Sequence, residues 1–162
     1  MYSENKEGDP LMNKRHEVLF HQLKTYREEI IQFAENTQEE AEIVPVGFRN
    51  NIRWNLGHIY LDQYLWIKAL TKEEMPHLEP FEKYFGFGTT PDNFDENTPS
   101  LHELITILRQ QPDDIAEKYG DKLDKEYPPI DMNMHTVEQV LIRTIFHEGM
   151  HLQAMMDIKK LL

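Results

Sequence analysis

Hydrophobic residues recur every three or four positions along several long segments of the chain, which is the period of an α-helix with one buried face. The first segment runs from Leu11 to about Thr37, and the second runs from about Asn51 to Leu70. The apolar positions of the first are Val18, Leu19, Leu23, Tyr26, Ile30 and Phe33. The inward stripe of the second is Trp54, His58, Leu61 and Leu65, beside Ile52, Leu56, Ile59 and Trp66. These stripes predict two helices.

Capping boxes predict the start of two more helices. A Ser-x-x-Glu box begins at Ser100 and a Thr-x-x-Gln box begins at Thr136, and in such a box each side chain binds the other residue's backbone N–H. The third helix is predicted to end near Tyr119 and the last to run nearly to Leu162. Residues 71–99 are rich in proline and glycine and form a long connection. Without any strand-like alternation, the pattern predicts an all-α, four-helix bundle.

Length and composition narrow the choice of class. The 162 residues fit one domain over residues 11–162, preceded by a disordered polar tail over residues 1–10. The formal net charge of −12 argues against nucleic acid and anionic membrane surfaces as partners. We expect no transmembrane segment, since no apolar run approaches the ~20 residues that one needs. The chain has no cysteine, so the cytoplasm is the expected location and any thiol chemistry requires a thiol from outside.

A candidate metal site comes from three histidines. His147 and His151 lie four residues apart on the inward stripe of the last helix, so both rings can reach one ion. Two core histidines hydrogen-bonded to side chains are the plainer interpretation of that pair. His58, on the inward stripe of the second helix, supplies a third ligand and leaves a fourth position open for water or substrate. Asp62 and Asn55, one turn to either side of His58, are candidates to orient the ligand imidazoles.

The segment His147-Glu148-x-x-His151 also matches the H-E-x-x-H of zinc proteases, in which the glutamate is the general base. Such proteases take their third ligand from downstream of this motif. The eleven residues after His151 contain no histidine or glutamate; Asp157 has the metzincin spacing, but Ala154 replaces the required glycine. The sequence therefore disfavours a protease. Glu148 remains a candidate catalytic proton acceptor, with the orientation of a ligand imidazole as its alternative role.

The run Arg53-Trp54-Asn55-Leu56-Gly57-His58-Ile59, followed by the histidine pair and Gln153, resembles the DinB-like (DinB/YfiT) superfamily. The lead-in Val44-Pro45-x-Gly47-Phe48-Arg49-Asn50 is also similar to that family. The resemblance implies an up-down four-helix bundle with a long crossover and a divalent metal, often zinc or nickel, on His58, His147 and His151. It also implies that a second copy of the chain is a candidate partner, because many members form homodimers.

Several members of that superfamily conjugate low-molecular-weight thiols such as bacillithiol or mycothiol to electrophiles. The resemblance therefore implies a metal-dependent thiol S-transferase acting on a small-molecule substrate. Two alternatives stay open from the sequence. One is a metal-dependent hydrolase that uses water, and the other is a non-catalytic metal-binding or stress-response module.

Overall fold

The computed structural model describes residues 12–162, so the predicted tail over residues 1–10 and the predicted helix start at Leu11 lie outside the described residues. The predicted all-α fold is confirmed. The helices are α1 Lys14–Glu35, α2 Ile52–Thr71, α3 Glu79–Phe85, α4 Leu101–Tyr119 and α5 Val137–Lys160. Each helix in this part of the chain is too short or too polar to cross a lipid bilayer.

The helix starts follow from side-chain caps. The Asn13 side chain accepts a hydrogen bond from the backbone of His16 and begins α1. Both predicted capping boxes form, with the Ser100 and Thr136 hydroxyls each accepting a backbone N–H at 3.2 Å. These bonds satisfy N–H groups that the first turn of a helix leaves without partners.

The long connection between α2 and α4 contains the short helix α3, which the sequence pattern did not predict. Tyr84 and Phe85 at the end of α3 are buried, while Phe87, two residues further on, is fully exposed. The helix packs against α2. The connection therefore brings the backbone of Phe85 beside the middle of α2, where His58 lies.

The four long helices pack in an order that differs from their order along the chain. Both α1 and α2 pack against α4 and against α5. The helices α1 and α2 consequently lie across the diagonal of the bundle, although they are consecutive in sequence. The direct packing of α2 against α5 is what brings the helix of His58 to the helix of His147 and His151.

The buried face of α1 departs from its predicted stripe. Leu19, Leu23 and Ile30 are buried as expected, but Val18 and Tyr26 are 44% and 41% exposed. Buried instead is a set that includes two polar residues: His16, Phe20, Arg27, Ile31 and Ala34. A charged side chain is almost never fully buried unless it is paired, so the burial of Arg27 indicates a partner inside the bundle.

Candidate metal centre

Three histidines meet where α2 packs against α5. His58 projects from α2, and His147 and His151 project from consecutive turns of α5. Each offers a ring nitrogen, and these nitrogens all lie within 4.8 Å of one another. The Nε2 atoms of His147 and His151 are 3.0 Å apart. The structure thus brings together the three residues that the sequence selected as ligands.

The other ring nitrogen of each of these three histidines is hydrogen-bonded to an oxygen. Carbonyl and carboxylate oxygens can only accept, so each Nδ1 carries a proton, and in the neutral ring Nε2 then presents a lone pair. The acceptors are the backbone oxygen of Phe85 for His58 (2.7 Å), the Asp62 carboxylate for His147 (3.0 Å) and the Asn55 amide oxygen for His151 (2.7 Å). Such outer hydrogen bonds fix the tautomer and the ring orientation of metal-binding histidines.

The Asn55 amide is itself held in one orientation. Its nitrogen donates to the backbone oxygen of Asn51 at 2.7 Å, which turns its oxygen toward His151. Asn51 is the N-cap of α2, and its side chain accepts from the backbone N–H of Trp54 at 2.8 Å. The cap of α2 and the orientation of a ligand on α5 therefore depend on the same few hydrogen bonds.

The Asp62 carboxylate receives three donors. Besides His147, it accepts from Arg143 Nη1 at 2.6 Å and from Trp66 Nε1 at 3.2 Å. Arg143 also lies over the Trp66 ring, 4.6 Å from its centroid. Burial raises the pKa of Asp62, but the hydrogen bond from His147 and the positive charge of Arg143 hold this pKa below its usual value. Asp62 is therefore an ionised acceptor at neutral pH.

The remaining residues of the Trp54-Asn55-x-Gly57-His58 run also contribute to the site. The Trp54 ring stacks on His58 with a centroid distance of 4.8 Å and an interplanar angle of 9°. At Gly57, an added Cβ would lie 2.3–2.5 Å from the ring of Phe85, which is fully buried. Gly57 thus lets α2 approach Phe85 closely, and the backbone oxygen of Phe85 is also the acceptor of the His58 hydrogen bond.

The protonation of the site suits a metal. Burial is the main reason that the pKa of His58 lies below its usual value, even though the hydrogen bond to Phe85 opposes it. Burial and the neighbouring His147 and His58 lower the pKa of His151 to about 3. Both rings are therefore neutral at neutral pH, the form in which histidine binds metals. The Nε2 atoms of His147 and His151 face each other at 3.0 Å, close enough for one cation to bind both, so the three histidines fit a divalent metal ion.

The sequence-family comparison agrees with this geometry. The family model of the DinB superfamily matches residues 22–155, which include all three histidines and their three oxygen acceptors. The chain belongs to the DinB superfamily. The resemblance inferred from the Trp-Asn-x-Gly-His run and the histidine pair is therefore confirmed. A search of curated proteins found no match.

In this DinB-superfamily chain, Glu148 points away from the histidines and into the bundle. Its two carboxylate oxygens accept from Arg27, Oε1 from Nη2 at 2.6 Å and Oε2 from Nε at 3.0 Å. Both side chains are almost completely buried, 1% exposed for Arg27 and 2% for Glu148. Sequence reasoning missed Arg27, although it continues the spacing of Leu23, Ile30 and Ala34 along the buried face of α1.

The remaining donors of Arg27 extend this ion pair to the other two long helices. Nη1 donates to the backbone oxygen of Leu108 (2.8 Å) and to Gln111 Oε1 (2.9 Å) on α4, and Nη2 donates to Gln63 Oε1 (3.2 Å) on α2. Gln63 in turn donates to the Thr144 hydroxyl on α5 at 3.0 Å. We call this set of residues the Arg27 network. It joins α1, α2, α4 and α5, and its member on α5, Glu148, immediately follows His147.

Proposed function

We propose that this protein is a metal-dependent enzyme in which His58, His147 and His151 hold a zinc or nickel ion and promote the transfer of a small thiol, of the bacillithiol type, to an electrophile. The observation that carries the proposal is the convergence of three Nε2 lone pairs, each set by a hydrogen bond at Nδ1. A divalent cation held there would lower the pKa of a thiol or a water molecule that binds in the remaining position.

The residues around the histidines favour a thiol over water. Activation of water in metal hydrolases is commonly assisted by a general base, and both oxygens of Glu148 are occupied by Arg27. A free thiol has a pKa near 8.5, compared with about 15.7 for water, and so needs much less assistance to ionise. The chain has no cysteine, so the thiol comes from a separate small molecule. We propose the cytoplasm as the location, because low-molecular-weight thiols stay reduced there.

We assign Glu148 a positioning role rather than the role of catalytic base. Its carboxylate is buried with Arg27, and His147 donates its Nδ1 hydrogen bond to Asp62 instead. Glu148 acts through the rotation of α5, which sets the direction of the preceding His147 and of His151 one turn later. It therefore corresponds to neither of the two roles expected from the H-E-x-x-H spacing, since it touches neither the reacting position nor a ligand ring.

The metal content of protein purified without an affinity tag tests the ligand set. We expect close to one equivalent of zinc or nickel in the wild type by mass spectrometry, and a loss of that metal in both His58→Ala and His147→Ala. His102→Ala, an exposed histidine on α4, is the matched control and keeps the metal. A wild type that holds no metal after incubation with zinc or nickel would overturn the proposal.

Thiol dependence tests the reaction. The metal-loaded protein is incubated with a model aryl halide, with and without bacillithiol, and thioether formation is followed by absorbance. We expect product only with the thiol, and none with His147→Ala. Product from ester substrates without thiol would favour the hydrolase, the second candidate that the open position allows. Metal binding without either reaction would favour a non-catalytic metal-binding module.

A further inference from the structure

Arg143 lies beside the metal site with most of its hydrogen-bond donors unused. Among the described residues its side chain makes one hydrogen bond, from Nη1 to Asp62, so Nε and Nη2 have no acceptor. Arg27 and Arg53, by contrast, donate from all three of their side-chain nitrogens. The Arg143 side chain is 22% exposed, and neither of its two free nitrogens is sealed from solvent. A ligand from solution can therefore reach them.

The guanidinium of Arg143 is held in place by its own chain. It lies over the Trp66 ring, 4.6 Å from the centroid, and Nη1 is 2.6 Å from Oδ2 of Asp62. Trp66 in turn donates to Oδ1 of the same carboxylate at 3.2 Å. A ligand that binds Arg143 therefore meets a side chain that is already ordered, which lowers the entropy cost of binding.

The free nitrogens of Arg143 form the edge that suits a carboxylate. Nε and Nη2 lie on one side of the guanidinium plane and can bind the two oxygens of a carboxylate in parallel. The molecule already contains one such pair, because Arg27 uses the same two nitrogens to bind both oxygens of Glu148. In Arg143 this edge has no partner from the chain.

Arg143 is also a direct neighbour of a metal ligand. Oδ2 of Asp62 accepts from Arg143 Nη1 at 2.6 Å and from His147 Nδ1 at 3.0 Å, so the guanidinium and the imidazole meet at one oxygen. Arg143 and His147 are one helical turn apart on α5. A small molecule whose sulfur binds a metal on the histidines can therefore extend a short polar group to Arg143.

The charges at the site favour a substrate with a second negative group. Arg143 and Asp62 balance each other, and metal-bound histidines are neutral, so the charge of a divalent metal remains. A thiolate neutralises half of that charge, and a carboxylate on the same molecule neutralises the rest. Elsewhere the net charge of −12 repels anions, so this site is a place where an acidic molecule can be selected.

We propose that Arg143 binds a carboxylate of the thiol substrate and thereby selects acidic thiols over neutral ones. This inference rests on the thiol transfer proposed above and adds the residue that discriminates among thiols. Arg143 holds the part of the substrate that does not react, so it determines specificity and takes no part in the bond that forms at sulfur.

Thiol binding to the cobalt-substituted protein tests this role without any turnover. Imidazole sites that take zinc or nickel also bind Co²⁺, and a thiolate on cobalt gives a charge-transfer band whose titration yields a dissociation constant. The probes are 3-mercaptopropionate and its uncharged analogue 3-mercaptopropionamide. We expect the wild type to bind the carboxylate at least about tenfold more tightly than the amide, as a hydrogen-bonded ion pair typically provides.

Substitution of Arg143 should remove this preference. In Arg143→Gln the ratio of the two dissociation constants should fall close to one. Both probes bind through sulfur, so a change at the metal affects both and cancels in the ratio. Arg143→Lys keeps the charge but loses the planar pair of donors, and should give an intermediate ratio. Arg109→Gln, an exposed arginine on α4 paired with Glu28 and Glu35, is the matched control and keeps the wild-type ratio.

The possible failures of this experiment are distinguishable. A wild type that shows no charge-transfer band with either thiol would overturn the proposed thiol transfer, and this inference with it. Equal dissociation constants for the two thiols would overturn the role of Arg143 alone, as would a preference that Arg143→Gln leaves unchanged. If circular dichroism shows that Arg143→Gln is unfolded, Arg143→Lys decides, and a full wild-type preference in that variant contradicts binding through the paired donors.

Discussion

Asp62 is the one charged acceptor among the three residues that hold the ligand histidines. Asp62→Asn keeps the shape of the side chain but removes the negative charge that binds His147 and Arg143. Metal affinity should fall by roughly 10- to 100-fold, as is typical when the hydrogen-bond partner of a ligand histidine is lost. Titration of metal-free protein with zinc against a competing chelator measures the change. Asp113→Asn, an exposed residue on α4, is the control, and equal affinities in the two variants would contradict the role of Asp62.

Gly57 is the second residue at which a small substitution should affect the metal site. Gly57→Ala places a methyl group within the ring of Phe85, which is fully buried and cannot move freely. We expect a loss of about 1–3 kcal/mol in the free energy of unfolding, despite the better helix propensity of alanine, and weaker zinc binding because the Phe85 backbone oxygen shifts away from His58. Urea unfolding and zinc titration measure the two effects.

Gly149→Ala provides the matched control for Gly57→Ala, because it makes the same change in a helix where the added Cβ meets no atom within 4 Å. Its zinc affinity should equal that of the wild type. If Gly57→Ala also binds zinc normally, the contact between Gly57 and Phe85 has no part in holding the metal site.

Much of the centre could be predicted at the residue scale because its parts lie at helical spacing from one another. Asp62 and Asn55 were selected as partners from their distance of one turn from His58, and each is bonded to a ligand from the other helix. The third acceptor, the backbone oxygen of Phe85, could not be predicted. Every residue has a carbonyl, so only the path of the connection around α3 determines which one meets His58.

At the scale of elements, the ion pair between Arg27 and Glu148 holds α1 against α5. Loss of one partner leaves a buried charge without compensation. Arg27→Met and Glu148→Gln should therefore each lower the free energy of unfolding. For Arg27→Met we expect a loss of about 3–5 kcal/mol. The double variant Arg27→Met/Glu148→Gln removes both charges and should be more stable than the sum of two single losses predicts. Urea unfolding of the four proteins gives the coupling energy.

The Glu148→Gln variant also separates positioning from catalysis. Under conditions where the variant is folded, a positioning role predicts weaker zinc binding with thiol transfer restored at saturating zinc. A general base would show the opposite result, with normal zinc binding and transfer abolished at all zinc concentrations. The exposed Glu103→Gln variant on α4 serves as the control for the same chemical change.

The four long helices were predictable to within a few residues, because their period and caps are local properties of the sequence. The buried face of α1 was less predictable. Val18 and Tyr26 fit an apolar stripe but are partly exposed, while Arg27 is inside the bundle. An arginine normally indicates a solvent-exposed position, and only the presence of Glu148 on the facing helix reverses that expectation. Such pairing between distant segments is not visible in the periodicity of either one.

For the whole molecule, removal of the metal should leave the fold intact. The apolar core and the Arg27 network do not include the three histidines, so the bundle does not depend on the ion for its stability. A metal present at a hundredfold excess over its Kd adds about 2.7 kcal/mol, which corresponds to a Tm difference of roughly 5–10 °C in a chain of this size. Thermal melts followed by circular dichroism, with zinc and with a chelator, measure this difference. Loss of helicity on chelation at 25 °C would indicate a structural metal instead.

The position of Arg27 has a consequence for the order in which the molecule assembles. Its partners are 36, 81, 84 and 121 residues away along the chain. The complete set of these contacts forms only after several loops have closed. We therefore expect the guanidinium to complete its hydrogen bonds only when all four long helices have docked, late on the folding path. An interaction absent from the folding transition state slows unfolding and leaves the folding rate almost unchanged. The Arg27 network, which lies beside the metal ligands, should therefore slow the unfolding of the assembled bundle.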